Sequence, residues 1–395
     1  MVWLILKGIG IALLFLVVAV FLAATIVPRF LDRIYYEGPT SDHFDGARFF
    51  NPDGDADTLT PMPRTTGAPR SRFGFFRAQL LGDDGRPEWP KSVAVMPTRP
   101  ADRVDGERMV VTWVGHATVL IQTQSLNILT DPVWSDTAGP FGLGPRRVAE
   151  PGVRFDDLPP IDLVLLSHNH YDHLDLKTLQ RLWARDRPRI LTSLGNDTIL
   201  RAKGVEATGL DWNSRVAVKP GVEVAATRNH HWGSRWFTDR NRALWSAFVI
   251  RLPGGNVFFA GDTGMGDGRW PAEAAALGPV RLALIPIGAF RFVPGQMDSG
   301  SHIGPPAAVE VHRRLGAAMS VPIHWGTFRL SYEGWDTPTR MLELAMQCTG
   351  QTGFAAVKHG AAVEVPGYAV PAAVAEVPRE KLLACLQQRG VDALK

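Results

Sequence analysis

Hydrophobic and polar positions divide the chain into three parts. Gly8–Val27, "GIGIALLFLVVAVFLAATIV", carries no charge. As a helix rising 1.5 Å per residue it would reach roughly 30 Å, the thickness of a bilayer's hydrocarbon core. Residues 1–27 are therefore expected to form a single transmembrane anchor. A cleaved signal peptide would normally have a shorter apolar run and a better small-residue cleavage site, and a core helix is a poor match at this length and position. Lys7 lies on one side of the run and Arg29 and Arg33 on the other, so the positive-inside rule does not choose an orientation. Residues 28–106 are rich in Pro, Gly, Arg and Asp and show little periodicity. Phe49, Phe50, Phe73, Phe75 and Phe76 are too apolar for a solvated linker. This segment is expected to pack on the main domain, or, at Arg72–Leu81 ("RFGFFRAQLL"), to lie on a membrane surface with its arginines toward headgroups.

From Val110 the pattern becomes that of strands. "VVTWVGHATVLIQT" and "LNILTDP" are β-branched and apolar, and their spacing suggests paired strands. "IDLVLLSH" is a short continuous apolar run of the kind buried on both faces. "LDLKTLQRLWARD" places Leu176, Leu179 and Leu182 at helical spacing behind Asp175, a plausible N-cap. Further strand candidates are "RILTS", "VEVAATRNHHW", "LWSAFVIRL", "NVFFAGDT", "LALIPIG" and "SVPIHWG", and "PPAAVEVHRRLG" from Pro305 is the clearest later helix. Four runs end in, or lead into, His168, His231, Asp262 and His324. Side chains delivered from strand ends to one rim make a rigid, preformed site.

Composition narrows the chemistry. A net charge of +3 over 395 residues gives no case for nucleic acid as a partner. Cys348 and Cys385 are the only cysteines, both late in the chain. They imply no disulfide framework and cannot form a CxxC-type zinc site, so any metal must be held by His, Asp or Glu. Nine of the eleven histidines fall between His116 and His324. In "LLSHNHYDHLD", His168 and His170 stand two apart on a loop leaving a strand and can face one ion, while Asp172 and His173 can serve a second. The alternative, four satisfied polar residues on a loop, is disfavoured by the specificity of His-x-His-x-Asp-His.

This motif resembles that of the metallo-β-lactamase superfamily. The run of segments "TWVGHATVLI", "LTDPVWS", "PPIDLVLLSHNHYDHLD", "HHWGSR", "FFAGDTG", "IPIGAF" and "IHWGTF" is most similar to its N-acylphosphatidylethanolamine-hydrolysing phospholipase D family. The resemblance implies an α/β fold, a four-layer αββα sandwich over residues 107–395, with a binuclear site on one rim. It implies that His168, His170 and His231 hold one zinc, that Asp172, His173 and His324 hold the other, and that Asp262 bridges them. His231 rather than its neighbour His230 matches the ligand position. Asp131 matches a carboxylate that orients a ligand imidazole, although an Asp before Pro132 also suits a turn. His302 matches a histidine implicated in activity, able to bind phosphate or protonate a leaving oxygen. The family places an aspartate where Gly304 stands. His116 and His359 are expected in supporting roles, and Tyr171 is expected to line the cavity or pack. An Asp at the bridge, where β-lactamases of this fold usually have a cysteine, turns the expectation away from β-lactams. Two Zn²⁺ ions are implied, though an N/O donor set also accepts iron or manganese.

The implied activity is phospholipase D-type hydrolysis of N-acylphosphatidylethanolamine-like phospholipids by a bridging hydroxide. The partners implied are the phospholipid substrate and the membrane, and a homodimer is plausible. Two other readings stay open: a hydrolase of soluble lactones or cyclic or sugar phosphodiesters, and a non-catalytic metal-binding membrane protein. The complete ligand set argues against the last.

Overall fold

The computed structural model describes residues 2–30, 34–54, 86–236, 238–293 and 295–394. The segment Arg72–Leu81, with Phe73, Phe75 and Phe76, lies outside the described residues. Helix α1 runs Val2–Phe30, and its apolar stretch Ile5–Ile26 is long enough to cross a bilayer and is not buried against the rest of the protein.

Two sheets face each other. The first has seven strands in the order β13 (Ala362–Val365), β1 (Met109–Gly115), β2 (Thr118–Thr123), β3 (Leu126–Thr130), β4 (Leu163–Leu166), β5 (Arg189–Ser193), β6 (Thr208–Leu210). The second has six, in the order β12 (Met319–Ile323), β11 (Val280–Pro286), β10 (Asn256–Phe259), β9 (Ala247–Arg251), β8 (Val222–Thr227), β7 (Arg215–Lys219). Side chains alternate across a strand, and both faces of the first sheet are covered. Val119, Ile121, Ile128, Leu163 and Leu165 enter the core between the sheets. Leu120, Leu129, Val164 and Leu166 pack instead with Leu179 and Leu182 of α2 (Leu176–Asp186) and with Ile199 and Leu200 of α3 (Asn196–Arg201). Helices α4 (Trp270–Ala275), α5 (Pro305–Leu315) and α6 (Thr337–Thr349) join the core of the second sheet, giving the four-layer αββα order.

The stretch expected as one strand, Val110–Thr123, is two: Gly115 and His116 take positive φ and turn β1 back along β2. The edge strands β6, β7 and β13 were not anticipated. Asp175 does cap α2, accepting from the backbone N–H groups of Lys177 and Thr178. The absence of a disulfide framework needs one correction: Cys348 of α6 is bonded to Cys385 of α7 (Arg379–Gln388), with Cα atoms 6.0 Å apart.

Residues 34–54 pack on the main domain. Phe44 and Phe49 are buried with Trp212, Leu244 and Trp245, while Tyr35 donates its hydroxyl to Asp239 Oδ2 at 3.0 Å.

Candidate metal centre

Strand direction puts the site where it is. β1, β3 and β4 run one way in the first sheet, and β8, β10 and β12 run together in the second. Their C-terminal ends lead to His116, Asp131 and His168, and to His231, Asp262 and His324. The motif loop is closed by a single turn in which His173 N–H and Leu174 N–H both donate to His170 O, at 3.2 and 2.9 Å. Gly261 has a positive φ of 60°, and a Cβ there would lie 2.6 Å from Ser167 Cβ. Only glycine lets the β10 end, carrying Asp262, approach the β4 end so closely.

Two ligand groups result. His168, His170, His231 and Asp262 each offer an atom within 4.8 Å of the others, as do His116, Asp172, His173 and His324. In the first, His170 Nδ1 lies 2.7 Å from His168 Nε2 and 3.4 Å from His231 Nε2. In the second, Asp172 Oδ2 lies 3.5 Å from His173 Nε2 and 3.4 Å from His324 Nε2. Asp262 Oδ2 stands between the groups, 3.1 Å from His173 Nε2, 3.0 Å from His324 Nε2, and 3.9 Å from both His168 Nε2 and His231 Nε2.

Outer partners set the tautomers. A carbonyl can only accept, so His231 donates from Nδ1 to Ser301 O at 2.9 Å, and His324 from Nδ1 to Gly288 O at 3.3 Å. His173 donates from Nδ1 to Asp131 Oδ2 at 2.6 Å. Ser167 gives its one hydroxyl proton to Asp131 Oδ2 at 2.5 Å, so it accepts from His168 Nδ1 at 2.9 Å. Each of these four rings therefore turns its Nε2 toward the site and presents a lone pair there when neutral. His116 Nε2 lies 2.9 Å from Asp172 Oδ2 and orients that carboxylate.

These residues fit divalent ions. His173 Nε2 and His324 Nε2 are buried and face Asp262 Oδ2 at 3.1 and 3.0 Å without forming a hydrogen bond, and Asp262 Oδ1 is buried without one, an arrangement costly for polar groups that bind nothing. Burial holds His168 and His231 well below the ordinary imidazole pKa and pushes His170 down to about 3, leaving neutral ligand rings. Burial also opposes charge on His324, but Asp262 and Asp172 outweigh it and raise that ring to about 9. The carboxylate pair thus calls for positive charge between the sheets, which protons or cations can supply.

The other expected residues separate clearly. His302 is buried beside the groups, its unpartnered Nδ1 3.9 Å from Asp262 Oδ2. At Gly304 a Cβ would lie 1.9 Å from Met297 O, so an aspartate has no room there. His230 points elsewhere, its Nδ1 3.0 Å from Asp53 Oδ2. His359 packs against Trp113 with ring centres 4.0 Å apart and ring planes tilted by 30°, outside both ligand groups. Tyr171 lines a cleft of about 500 Å³, its ring beneath the Arg235 guanidinium. Sequence reasoning missed Ser167, whose hydroxyl sits between Asp131 and His168, and Asn51, which donates to His231 O at 2.8 Å. Ser167 stood inside the quoted motif. Asn51 carried no local signal.

Comparison with known proteins agrees with this geometry. A family model described as a β-lactamase superfamily domain matches residues 126–325, just over half of the chain. An uncharacterised protein of Mycobacterium tuberculosis is 37% identical over 252 residues, 62% of this chain and 66% of that one. The N-acyl-phosphatidylethanolamine-hydrolyzing phospholipase D 1 of Caenorhabditis elegans is 37% identical over 232 residues, 56% of this chain and 64% of that enzyme. The chain thus spans just under two thirds of the length of these relatives. In fold it is similar to a metallo hydrolase from Ignicoccus hospitalis, with a TM-score of 0.50 at 20% identity, covering 65% of this chain and 98% of that one. The chain belongs to the metallo-β-lactamase superfamily.

Proposed function

We propose that the protein is a metal-dependent hydrolase, a phosphodiesterase of phospholipase D type that acts on N-acylphosphatidylethanolamine-like glycerophospholipids. The observation that carries the metal-dependent reading is the position of Asp262 Oδ2 between two groups of inward-facing imidazoles. The substrate class is supported by the similarity to the nematode enzyme and by α1, which we read as a membrane anchor.

His168, His170 and His231 would hold one ion, Asp172, His173 and His324 the other, with Asp262 shared. Zinc suits these donors, and iron or manganese is compatible with them. When bound, the pair of ions would activate water and offset the charge that develops on the phosphoryl oxygens. Hydrolysis forms a bond from phosphorus to the water oxygen and breaks the bond to the headgroup oxygen, which leaves with a proton, so phosphatidate remains. Asp131 and Ser167 keep His173 and His168 in the ligating tautomer. Asp172 is held in place by His116. His302, with its unpartnered Nδ1 facing the site, is placed to hydrogen-bond a phosphoryl oxygen.

A panel of N-acylphosphatidylethanolamine, other phospholipids, lactones and cyclic nucleotides tests the reading. Turnover of phospholipid that is lost in Asp262→Asn and His170→Ala, with both variants still folded, is the expected outcome. Turnover of soluble substrates alone would replace the lipid reading with the soluble-phosphodiester or lactone one. Full activity in both variants, or in protein stripped of metal, would overturn the metal mechanism.

A further inference from the structure

Outside α1, the exposed large hydrophobic side chains among the described residues are Ile34, Met96, Phe141, Leu143, Trp236 and Val370. Four of the six gather at one place. Ile34, Phe141 and Trp236 line the cleft that also holds Tyr171 of the metal motif, and the rings of Phe141 and Trp236 are 6.0 Å apart. Leu143 closes the same tight loop, donating its N–H to Pro140 O at 2.9 Å. Phe141 is 85% exposed and Leu143 67%. The charged residues lining the cleft are Lys203 and Arg235, with no carboxylate among the lining residues. An apolar rim with cations behind it matches a lipid interface, where apolar side chains enter the acyl boundary and cations meet phosphates.

Chain connectivity points the same way. Tyr35 is buried in the domain and bonded to Asp239, while α1 ends at Phe30. Five residues at full extension span at most roughly 18 Å. A bilayer that holds α1 must therefore lie close to this cleft rather than at the opposite edge of the sandwich.

We propose that Ile34, Phe141, Leu143 and Trp236 insert into the bilayer interface and seat the cleft beside Tyr171 on the lipid surface. The role of α1 as an anchor and the phospholipid substrate rest on the function proposed above, but the docking can be read without any hydrolysis. Full-length protein would be reconstituted in phosphatidylcholine vesicles containing phosphatidylglycerol. An environment-sensitive fluorophore would be attached at Phe141→Cys and, as a control, at Val370→Cys. The native cysteines are bonded to each other and do not compete for label. Val370 follows Tyr368, which lines a groove with the β7–β8 and β9–β10 turns at the edge away from the ligands. Spin-labelled lipid should quench the label at 141 and leave that at 370 bright; equal quenching overturns the proposal. In a second arm, the Phe141→Asp/Leu143→Asp double variant should raise the apparent KM for vesicle phospholipid about tenfold or more, the scale of one lost apolar insertion. Turnover of soluble bis-p-nitrophenyl phosphate should be unchanged. An equal fall on both substrates would mean that the loop serves the site itself and not the membrane. If the wild type turns over no phospholipid, only the substrate reading fails, and the quenching result still decides the docking.

The disulfide carries a second inference, which again rests on α1 as a membrane anchor. Cys348 and Cys385 are the only cysteines in the chain, are bonded to each other, and are both partly exposed. Such a bond would not persist in a reducing cytosol. We infer that the domain after α1 lies on the non-cytoplasmic side of the membrane, so that the leaflet presented to the site is the one facing away from the cytosol. The test uses the full chain in bacterial spheroplasts, probed with a maleimide polymer that adds mass to free thiols. No shift before reduction, a shift after it, and digestion of the domain by added protease are expected. Thiols that react without reduction, or a domain protected from protease in intact spheroplasts, would overturn the assignment.

Discussion

Asp131 Oδ2 accepts both the Nδ1–H of His173, at 2.6 Å, and the hydroxyl proton of Ser167, at 2.5 Å, within a fully buried site. Through those two bonds one carboxylate sets the tautomer of a ring in each ligand group, because Ser167 in turn accepts from His168. Asp131→Asn keeps the volume and removes the charge. Loss of such an outer partner typically costs about 10–100-fold in metal affinity. Competition with a chelator should show metal released at correspondingly lower chelator concentration, with a parallel fall in kcat. Retention equal to the wild type would mean that Asp131 is only a turn residue.

Gly304 begins α5 immediately after the loop that carries His302. Its missing Cβ leaves room for Met297 O, and a Cβ would approach that oxygen to 1.9 Å. Gly304→Asp, although it restores the residue that the phospholipase D resemblance leads one to expect, should therefore destabilise the protein by about 1–3 kcal/mol, as overpacking does. It should also displace His302 and lower kcat. Denaturant melts with and without metal, together with activity at saturating substrate, check both expectations. A variant as stable and as active as the wild type would show that the Met297 loop yields freely.

The His/Asp cluster proposed to hold metal was legible because its members follow central strands. β4, β8 and β10 read as apolar runs, so a His or Asp at each end stood out against its surroundings. The edge strands β7 and β13 are short and only partly buried, so they left little apolar pattern to read. Asp175 was legible as a cap because capping is local. The Cys348–Cys385 bond spans 37 residues, and distance in space cannot be read from spacing in the chain. Residues 34–54 gave only a general signal, since Phe44 and Phe49 pack from irregular backbone where neither helical nor strand period applies.

That segment reaches the candidate metal centre. Asn51 donates from Nδ2 to His231 O at 2.8 Å and accepts from Trp245 Nε1 at 3.2 Å. Asn51→Ala leaves a buried carbonyl and a buried indole N–H without those bonds, a loss of about 1–3 kcal/mol. Thermal melts should show the destabilisation, and a chelator titration should show weaker metal retention through the displaced His231 backbone. Asn51→Asp keeps an acceptor for Trp245 but faces the His231 carbonyl with a carboxylate oxygen, so it should retain metal no better than the Ala variant. Metal retention at the wild-type level in both variants would confine Asn51 to the stability of the fold.

His43 gives the same segment a pH dependence. Its Nδ1 lies 2.6 Å from Asp42 Oδ1 and its Nε2 2.7 Å from Asp211 Oδ1, while the ring stacks on Trp212. Burial disfavours the imidazolium, but the two carboxylates outweigh it and raise the pKa above its ordinary 6.5. A folded-state pKa above the unfolded value means that the protonated form stabilises the fold. The full contribution is present below about pH 6.5 and is lost as pH rises through the folded-state value. Metal-saturated protein should therefore melt at progressively lower temperature across that window, and amide protection at residues 41–51, taken relative to intrinsic exchange at each pH, should fall. His43→Gln, which can still hydrogen-bond but cannot titrate, should flatten both dependences and leave the exchange of β9 and β10 unchanged. An undiminished pH dependence in that variant would place the responsible group elsewhere.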